Sequence, residues 1–163
     1  MTFEIRLAQP PELPTIGEIT VRAYTGDGLL PPDSEYVGVL RDADRRARMA
    51  ELWVAAEQGG QVLGSVTFCP PGSAYRELAA AGEGEFRMLS VHPTARRRGV
   101  AHALVQRCIA RSRELGDRRM VICSQHDMHT AHRLYRRFGF ARLPERDWDP
   151  LPGIHLLAFS VDL

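Results

Sequence analysis

Three consecutive arginines, Arg96 to Arg98, followed by Gly99 form the stretch of this sequence whose residue types and spacing best suit chemistry. They stand between an apolar run, residues 88–91, and a helical pattern that begins near Val100. The first turn of a helix carries unpaired N–H groups and the positive end of the helix dipole, and both attract anions. A glycine lets a ligand approach the backbone, and arginine side chains neutralise phosphate. The stretch therefore predicts a turn that binds phosphate groups.

An arginine run also suits a solvent-exposed basic loop or a surface that binds nucleic acid. A nucleic-acid surface would combine a basic stripe with exposed aromatic side chains, and the sequence shows no such combination. The formal net charge is +1, so no overall attraction to nucleic acid or to a membrane surface is expected. The exposed-loop interpretation stays open on these residues alone, but their place after a strand and at a helix start favours phosphate binding.

Periodic apolar residues predict the elements that must position this turn. Strands are predicted at residues 2–8, 52–57, 62–69, 88–91, 120–123, 140–142 and 154–163. Helices are predicted at residues 13–23, 33–49, 101–115 and 131–138, and Asp127 is expected to cap the last one. Stretches that contain Gly and Pro, residues 25–32, 70–84 and 143–153, are predicted loops. The pattern predicts a mixed α/β sheet with helices on both faces, in a single domain of residues 1–163.

The composition is that of a soluble globular protein, with 163 residues, of which 44% are hydrophobic and 25% charged. No apolar run is long enough to span a membrane, and the opening residues do not have the pattern of a signal peptide. The three cysteines, Cys69, Cys108 and Cys123, are widely spaced and form no CxxC pair. They predict reduced thiols and a cytoplasmic protein.

Three histidines at helical spacing, His126, His129 and His132, raise the question of a metal site. In helical geometry their imidazoles fan over roughly 120°, which is too wide for one ion bound from a single helix. Surface or loop positions are therefore expected for them, and no metal site is predicted.

The arginine turn and a second block together resemble the GNAT N-acetyltransferases. The first block is Arg96-x-x-Gly99-x-Ala101, preceded by Leu89-Ser90-Val91 and Pro93. The second block is Ala131-x-x-Leu134-Tyr135-x-x-x-Gly139-Phe140. Both blocks stand in the family's order at a suitable distance, so the chain is identified as a member of this superfamily. In that family the first block holds the pyrophosphate of acetyl-CoA.

The resemblance implies a fold and a cosubstrate. The fold would be the GNAT acyl-CoA N-acyltransferase fold, a mixed, mostly antiparallel sheet of about seven strands whose two central parallel strands splay apart. The cosubstrate would be acetyl-CoA, with its pantetheine arm in the gap between residues 88–91 and 120–123. The residues implied to bind it are Leu89, Ser90, Val91, Arg96, Arg97, Arg98, Gly99, Val100 and Ala101.

Tyr135 and Glu85 are the catalytic candidates that the resemblance implies. The family's tyrosine at the position of Tyr135 faces the CoA sulfur, and its hydroxyl, with an ordinary pKa of ~10, can protonate a thiolate whose thiol has a pKa of ~8.5. A core tyrosine bonded to a carbonyl is the alternative. Glu85 would take a proton from the acceptor amine, directly or through water. A structural glutamate paired with Arg87 is its alternative, Glu83 is a weaker rival, and a base from the acceptor loops stays open.

The implied reaction is transfer of acetyl to a primary amine by direct attack in a ternary complex, with a backbone N–H of residues 89–91 on the oxyanion. Cys123 is expected in the core rather than as a nucleophile. Met128 departs from the family, which often has an asparagine that contacts the CoA arm there. The acceptor would be a small amine, or alternatively a protein or peptide amine, and a non-catalytic CoA sensor is a third hypothesis. Homodimers are common in the family, but no interface can be located.

Overall fold

The computed structural model describes residues 2–163. Its strands are β1 (Phe3–Leu7), β2 (Glu51–Glu57), β3 (Val62–Phe68), β4 (Glu83–Gly84), β5 (Phe86–Val91), β6 (Arg119–Gln125), β7 (Ala141–Arg142), β8 (Trp148–Leu151) and β9 (Ile154–Asp162). Its α-helices are α1 (Leu13–Thr25), α2 (Tyr36–Arg41), α3 (Ala43–Met49), α4 (Val100–Glu114) and α5 (His129–Arg137). No helix in this part of the chain combines the length and hydropathy needed to cross a membrane.

Helices cover both faces of the first sheet because alternate residues of β2 point in opposite directions. Val54 packs with Ile16 and Ile19 of α1, whereas its neighbour Ala55 belongs to the cluster that contains Leu104 of α4. The predicted α/β architecture with helices on both faces is confirmed.

The strands form two sheets rather than one. The first has the order β1-β2-β3-β5 and is antiparallel throughout, and the second contains β4, β6, β9 and β7, with β8 paired to β9. Residues 83–84 pair in parallel with β6, but after Glu85 the chain turns and β5 pairs with β3 instead. The two central parallel strands therefore separate at Glu85, which confirms the predicted splay. The same turn divides the described strands into two sheets, and they number nine rather than about seven because β4 and β8 lie within predicted loops.

Two local predictions were also wrong. The helix expected over residues 33–49 is two helices, α2 and α3, separated at Asp42, whose carboxylate accepts the backbone N–H of Arg45 at 3.0 Å and caps α3. The helix α5 begins after Met128 with no side-chain cap, so Asp127 is not its cap. The first error arises because apolar spacing does not register where a short polar side chain interrupts a helix. The second arises because the presence of a residue type that suits a cap does not show that it forms the cap bond.

Candidate active site

A cavity of about 170 Å³ occupies the gap where β5 and β6 separate. Residues 86–89 of β5 form one wall, residues 123–125 of β6 form the opposite wall, and Tyr135 of α5 lies between them. The gap exists because neither strand edge finds a partner there: β5 turns to β3, and β6 pairs with β9. An open strand edge inside a cavity offers backbone groups to an extended ligand.

A bulge in β5 shapes the wall of this cavity. Arg87 pairs with Thr67 and Ser90 with Ser65, so Met88 and Leu89 together face one residue of β3. Met88 has a φ of 56°, a left-handed conformation that costs a bulky side chain about 1–3 kcal/mol. Such strain is retained where the surroundings fix the backbone, and it re-aims the peptide groups of residues 88 and 89, both of which line the cavity.

Tyr135 combines a packed ring with a hydroxyl in the cavity. Its ring lies 5.9 Å from that of Phe86 in an edge arrangement and 5.8 Å from that of Phe140, and the residue is only 6% exposed. No group within residues 2–163 forms a hydrogen bond with its hydroxyl, although the residue lines the cavity. Burial raises the pKa of this hydroxyl, so it stays protonated and can donate. The core-tyrosine alternative is thus correct for the ring, while the hydroxyl remains available to a ligand.

Glu85 does not line the cavity. Its side chain is fully buried, and its carboxylate accepts the consecutive backbone N–H groups of Glu77, Leu78 and Ala79, each at 3.0 Å. The carboxylate thus ties a turn of the 70–84 loop to the strand. A direct catalytic role for Glu85 stays a prediction, but this geometry gives it a positioning task that the sequence did not suggest. The rival Glu83 is also buried and forms ion pairs with Arg119 and Arg146 instead of lining the cavity.

Sequence reasoning missed the acidic side chain that does reach the cavity, Glu77. Its carboxylate lies 2.5 Å from the guanidinium of Arg87, which also donates to the Tyr36 hydroxyl and the Tyr75 carbonyl, each at 3.0 Å. Burial raises the pKa of Glu77; Arg87 opposes this rise, and the charge of Glu85 adds to it. No sequence signal marked Glu77, because it lies in a loop without periodicity.

The predicted phosphate turn has an unusual backbone. Arg97 has a φ of 62° and Gly99 a φ of 78°, and Gly99 is the N-cap of α4 without any side-chain cap. The first N–H groups of α4 therefore lack side-chain partners and can bind an anion. A Cβ built on Gly99 would meet no atom within 4 Å, so the space in front of the turn is open to a ligand.

The three arginines of this turn differ in what they contact. Arg98 forms an ion pair of 2.6 Å with Glu57 at the end of β2, and Arg96 forms a half-exposed pair of 3.1 Å with Asp27. Arg97 forms no ion pair within residues 2–163 and is exposed. Arg97 is consequently the side chain best placed to neutralise a phosphate, while Arg98 mainly anchors the turn.

The remaining predicted cofactor residues lie on both faces of β5 and at the start of α4. Leu89 and Val91 are partly exposed, but the Ser90 side chain is buried on the other face, 3.2 Å from the Thr20 hydroxyl. Ser90 can therefore meet a ligand only through its backbone. Val100 is buried in the core, and Ala101 is partly exposed on the first turn of α4.

The thiol and imidazole groups near the cavity have structural surroundings. Cys123 lines the cavity, but burial raises its pKa to about 12, so its thiol stays protonated and is a poor nucleophile. His132 was expected at the surface, yet it is buried. Its Nε2 lies 3.2 Å from the Ser124 hydroxyl, because His132 is on the side of α5 that faces β6. Within residues 2–163, no group of three or more His, Cys, Asp or Glu side chains could hold a metal ion.

Solved structures share this architecture and define its class as an acyltransferase fold. An acetyltransferase of the GNAT family from Staphylococcus aureus Mu50 superposes with a TM-score of 0.78 at 12% identity, covering 99% of both chains. A putative acetyltransferase from Salmonella typhimurium, solved with its cofactor acetyl-CoA, gives a TM-score of 0.69 at 22% identity and covers 100% of this chain and 95% of that one.

The sequence matches the acetyltransferase (GNAT) family over residues 13–140. The chain belongs to this family. A mycothiol acetyltransferase from Cellulomonas flavigena is 37% identical over 113 residues, which are 64% of this chain. The match spans about a third, 32%, of the length of that relative.

Proposed function

We propose that this chain transfers an acetyl group from acetyl-CoA to the primary amine of a small molecule. The observation that carries this proposal is the cavity at the splay of β5 and β6, which is lined by Tyr135 with its unpaired hydroxyl, together with the uncapped start of α4 in the same chain. A thioester carbonyl placed in this cavity would meet a proton donor and a strained strand edge together. The family match and the solved relative that contains acetyl-CoA support this cosubstrate.

The turn and the strand divide the binding of acetyl-CoA between them. The N–H groups of Val100 and Ala101 receive the diphosphate at the start of α4, where Gly99 leaves room, and Arg97 adds a positive charge. The backbone of residues 89–91 pairs with the pantetheine arm as a neighbouring strand would. The thioester supplies the activated acetyl group.

The chain's own groups then assist a direct transfer. The bulge at Met88 directs a backbone N–H at the site of the oxyanion, where a fixed dipole stabilises developing charge. Tyr135, kept protonated by its buried site, gives a proton to the sulfur as the C–S bond breaks. Holding both substrates in one cavity supplies much of the acceleration, so no covalent acyl-enzyme is required.

A small acceptor is favoured over a peptide because side chains close over the cavity. Tyr24 at the end of α1 and Tyr36 at the start of α2 cover one side, and Pro150, Leu151 and Ile154 cover the other. A peptide would need an open groove. The curated relative is named a mycothiol acetyltransferase, and a small-molecule acceptor therefore has a precedent in a related sequence.

We also infer that the described residues form one acetyltransferase domain that works in a reducing compartment such as the cytoplasm. The elements outside the family match complete its sheets, since β1 pairs with β2 and β9 pairs with β6. The three cysteines are free thiols, which suits a reducing compartment.

Calorimetry with acetyl-CoA, followed by thiol release on a panel of free primary amines and lysine peptides, tests the proposal. Binding of acetyl-CoA with amine-dependent release of CoA is expected, and free amines should react faster than peptides. Absence of binding would refute the proposal. Binding without turnover on any amine would instead indicate a sensor, and faster reaction of peptides would indicate a protein acetyltransferase.

A further inference from the structure

Glu77 is the only carboxylate that lines the cavity within residues 2–163. Its side chain is 22% exposed, so it is mostly shielded but still reaches the space that a substrate would fill. Leu89 of the bulge and Tyr135 line the same cavity. An anionic group, a proton-donating hydroxyl and a strand edge thus surround a single small volume.

Two independent devices hold Glu77 in this position. Behind the loop, the buried Glu85 carboxylate accepts the backbone N–H of Glu77 itself and of the next two residues. Inside the cavity, Arg87 forms an ion pair with the Glu77 carboxylate and is itself fixed by the Tyr36 hydroxyl. A carboxylate held from both its backbone and its head group loses little further entropy when a substrate binds.

We propose that Glu77 binds the acceptor's ammonium group and takes its proton, and that Glu85 is the positioning residue that holds Glu77 in the cavity. This inference rests on the proposed function and assigns the proton acceptor of the same reaction. It differs from the sequence prediction, in which Glu85 itself would have been the base. The buried Glu85 carboxylate is already bonded to three N–H groups, whereas Glu77 faces the acceptor.

The proton and electron balance of the step is complete without another reactant. The Glu77 carboxylate takes one proton from the ammonium, and the freed nitrogen lone pair attacks the thioester carbonyl. The C–N bond forms and the C–S bond breaks, with the sulfur keeping the electron pair. The sulfur takes the Tyr135 proton, the new amide nitrogen loses its second proton to restore Tyr135, and Glu77 releases its proton to solvent.

The walls beyond Glu77 define the chemical class of the acceptor. They include the apolar and aromatic residues Tyr24, Tyr36, Pro150, Leu151, Ile154 and Leu156, and the polar residues Ser124 and Gln125 also line the cavity. Arg87, the only basic side chain in the lining among residues 2–163, is already paired with Glu77. The acceptor is consequently a primary amine on an uncharged, largely apolar or aromatic body, because an acceptor phosphate would find no unengaged basic side chain among the described lining residues.

The groups that face Glu77 set the pH at which it works. Arg87 of β5 favours its carboxylate, Glu85 behind the loop opposes it, and the neutral Tyr36 of α2 and Cys123 of β6 complete its surroundings. Burial and the Glu85 charge raise the pKa of Glu77, so activity should fall in mildly acid solution as the carboxylate is protonated.

The test is Glu77→Gln, which keeps the shape of the side chain but cannot take a proton. We expect kcat/KM to fall about 100-fold or more at pH 7, the usual worth of a general base, with unchanged acetyl-CoA affinity in calorimetry. The wild-type rate should level off above the pKa of Glu77. The rate of the variant should instead keep rising tenfold per pH unit towards the amine pKa of ~10, because only free amine can react. The matched control is Glu145→Gln, an exposed glutamate outside the cavity, which should behave as wild type.

Each outcome decides a separate claim. A Glu77→Gln variant with wild-type rate and pH profile would overturn the assignment of Glu77, even though the wild type's own turnover had upheld the proposed function. A wild type without turnover on any amine would refute the function itself. Among acceptors, 2-phenylethylamine should be used with a lower KM than glucosamine 6-phosphate, and the reverse order would overturn the apolar class.

Discussion

Replacing Glu85 by Gln separates the two roles that this buried carboxylate could have. The wild-type side chain accepts the N–H groups of Glu77, Leu78 and Ala79 and is 0% exposed. All three bonds go to Oε1, which a glutamine can keep, but its NH₂ group replaces the Oε2 that faces the Glu77 N–H, and the three bonds lose their charged acceptor. A bond to a charged acceptor contributes about 1.5–3 kcal/mol, compared with about 0.5–1.5 kcal/mol for a neutral one, so each of the three bonds weakens by about 1 kcal/mol. We expect the loop to open about 3 kcal/mol more easily.

Hydrogen exchange measures this release directly, because about 3 kcal/mol corresponds to roughly 100-fold faster exchange of the amides at residues 77–79. The pH profile gives the second measurement. Since the charge of Glu85 raises the pKa of Glu77, its removal should move the acid limb of kcat/KM to lower pH without abolishing it. Loss of the acid limb with unchanged exchange at residues 77–79 would refute this reasoning and make Glu85 the base.

Three further predictions address the cofactor turn, the acid and the stability of the fold. Tyr135→Phe should lower kcat about 100-fold without changing the acetyl-CoA affinity measured by calorimetry. Gly99→Ala and Gly116→Ala, at the two ends of α4 with φ values of 78° and 80°, should each cost about 1–2 kcal/mol in urea denaturation, but only the former should weaken acetyl-CoA binding. Burial alone would raise the pKa of Glu83, but bonds from arginines and a backbone N–H outweigh it and lower the pKa from 4.5 to about 2. Glu83→Gln should therefore cost about 2 kcal/mol at pH 7, a difference that shrinks as the pH falls from 4.5 towards 2.

The sequence predicted the turn at Gly99 and the position of Tyr135 because both depend on local spacing. A glycine before a helix predicts a turn, and a tyrosine beside an apolar stripe predicts a place at the edge of the core, whatever the rest of the fold. The strands that line the cleft were found for the same reason. Their splay was predicted only through family resemblance, since no periodicity shows where a strand changes its partner.

Glu77 could not be found because its place in the cavity depends on how its loop folds against β5. It gains its place from Arg87 on β5 and its fixed backbone from Glu85, while the loop that carries it has no pattern of its own. Glu85 was singled out for its place in the family, yet its burial and its three N–H partners follow from how the loop folds over the strand. Sequence spacing does not indicate such contacts. The Glu77–Arg87 ion pair and the N–H bonds to Glu85 are therefore seen only in the structure.

The geometry of the cleft originates in the strand rather than in the loops around it. At Gly84 the segment still pairs with β6, and no side chain fits there because a Cβ would collide with the Ser112 hydroxyl of α4. One residue later the Glu85 carboxylate turns beneath the loop, and at Met88 the bulge re-aims the backbone. Three features along this one segment, at residues 84, 85 and 88, thus accompany the gap, the placement of Glu77 and the strand edge. Because they follow one another along a single strand, a change at Gly84 should disturb acetyl-CoA binding and amine binding together, although that residue lines neither site.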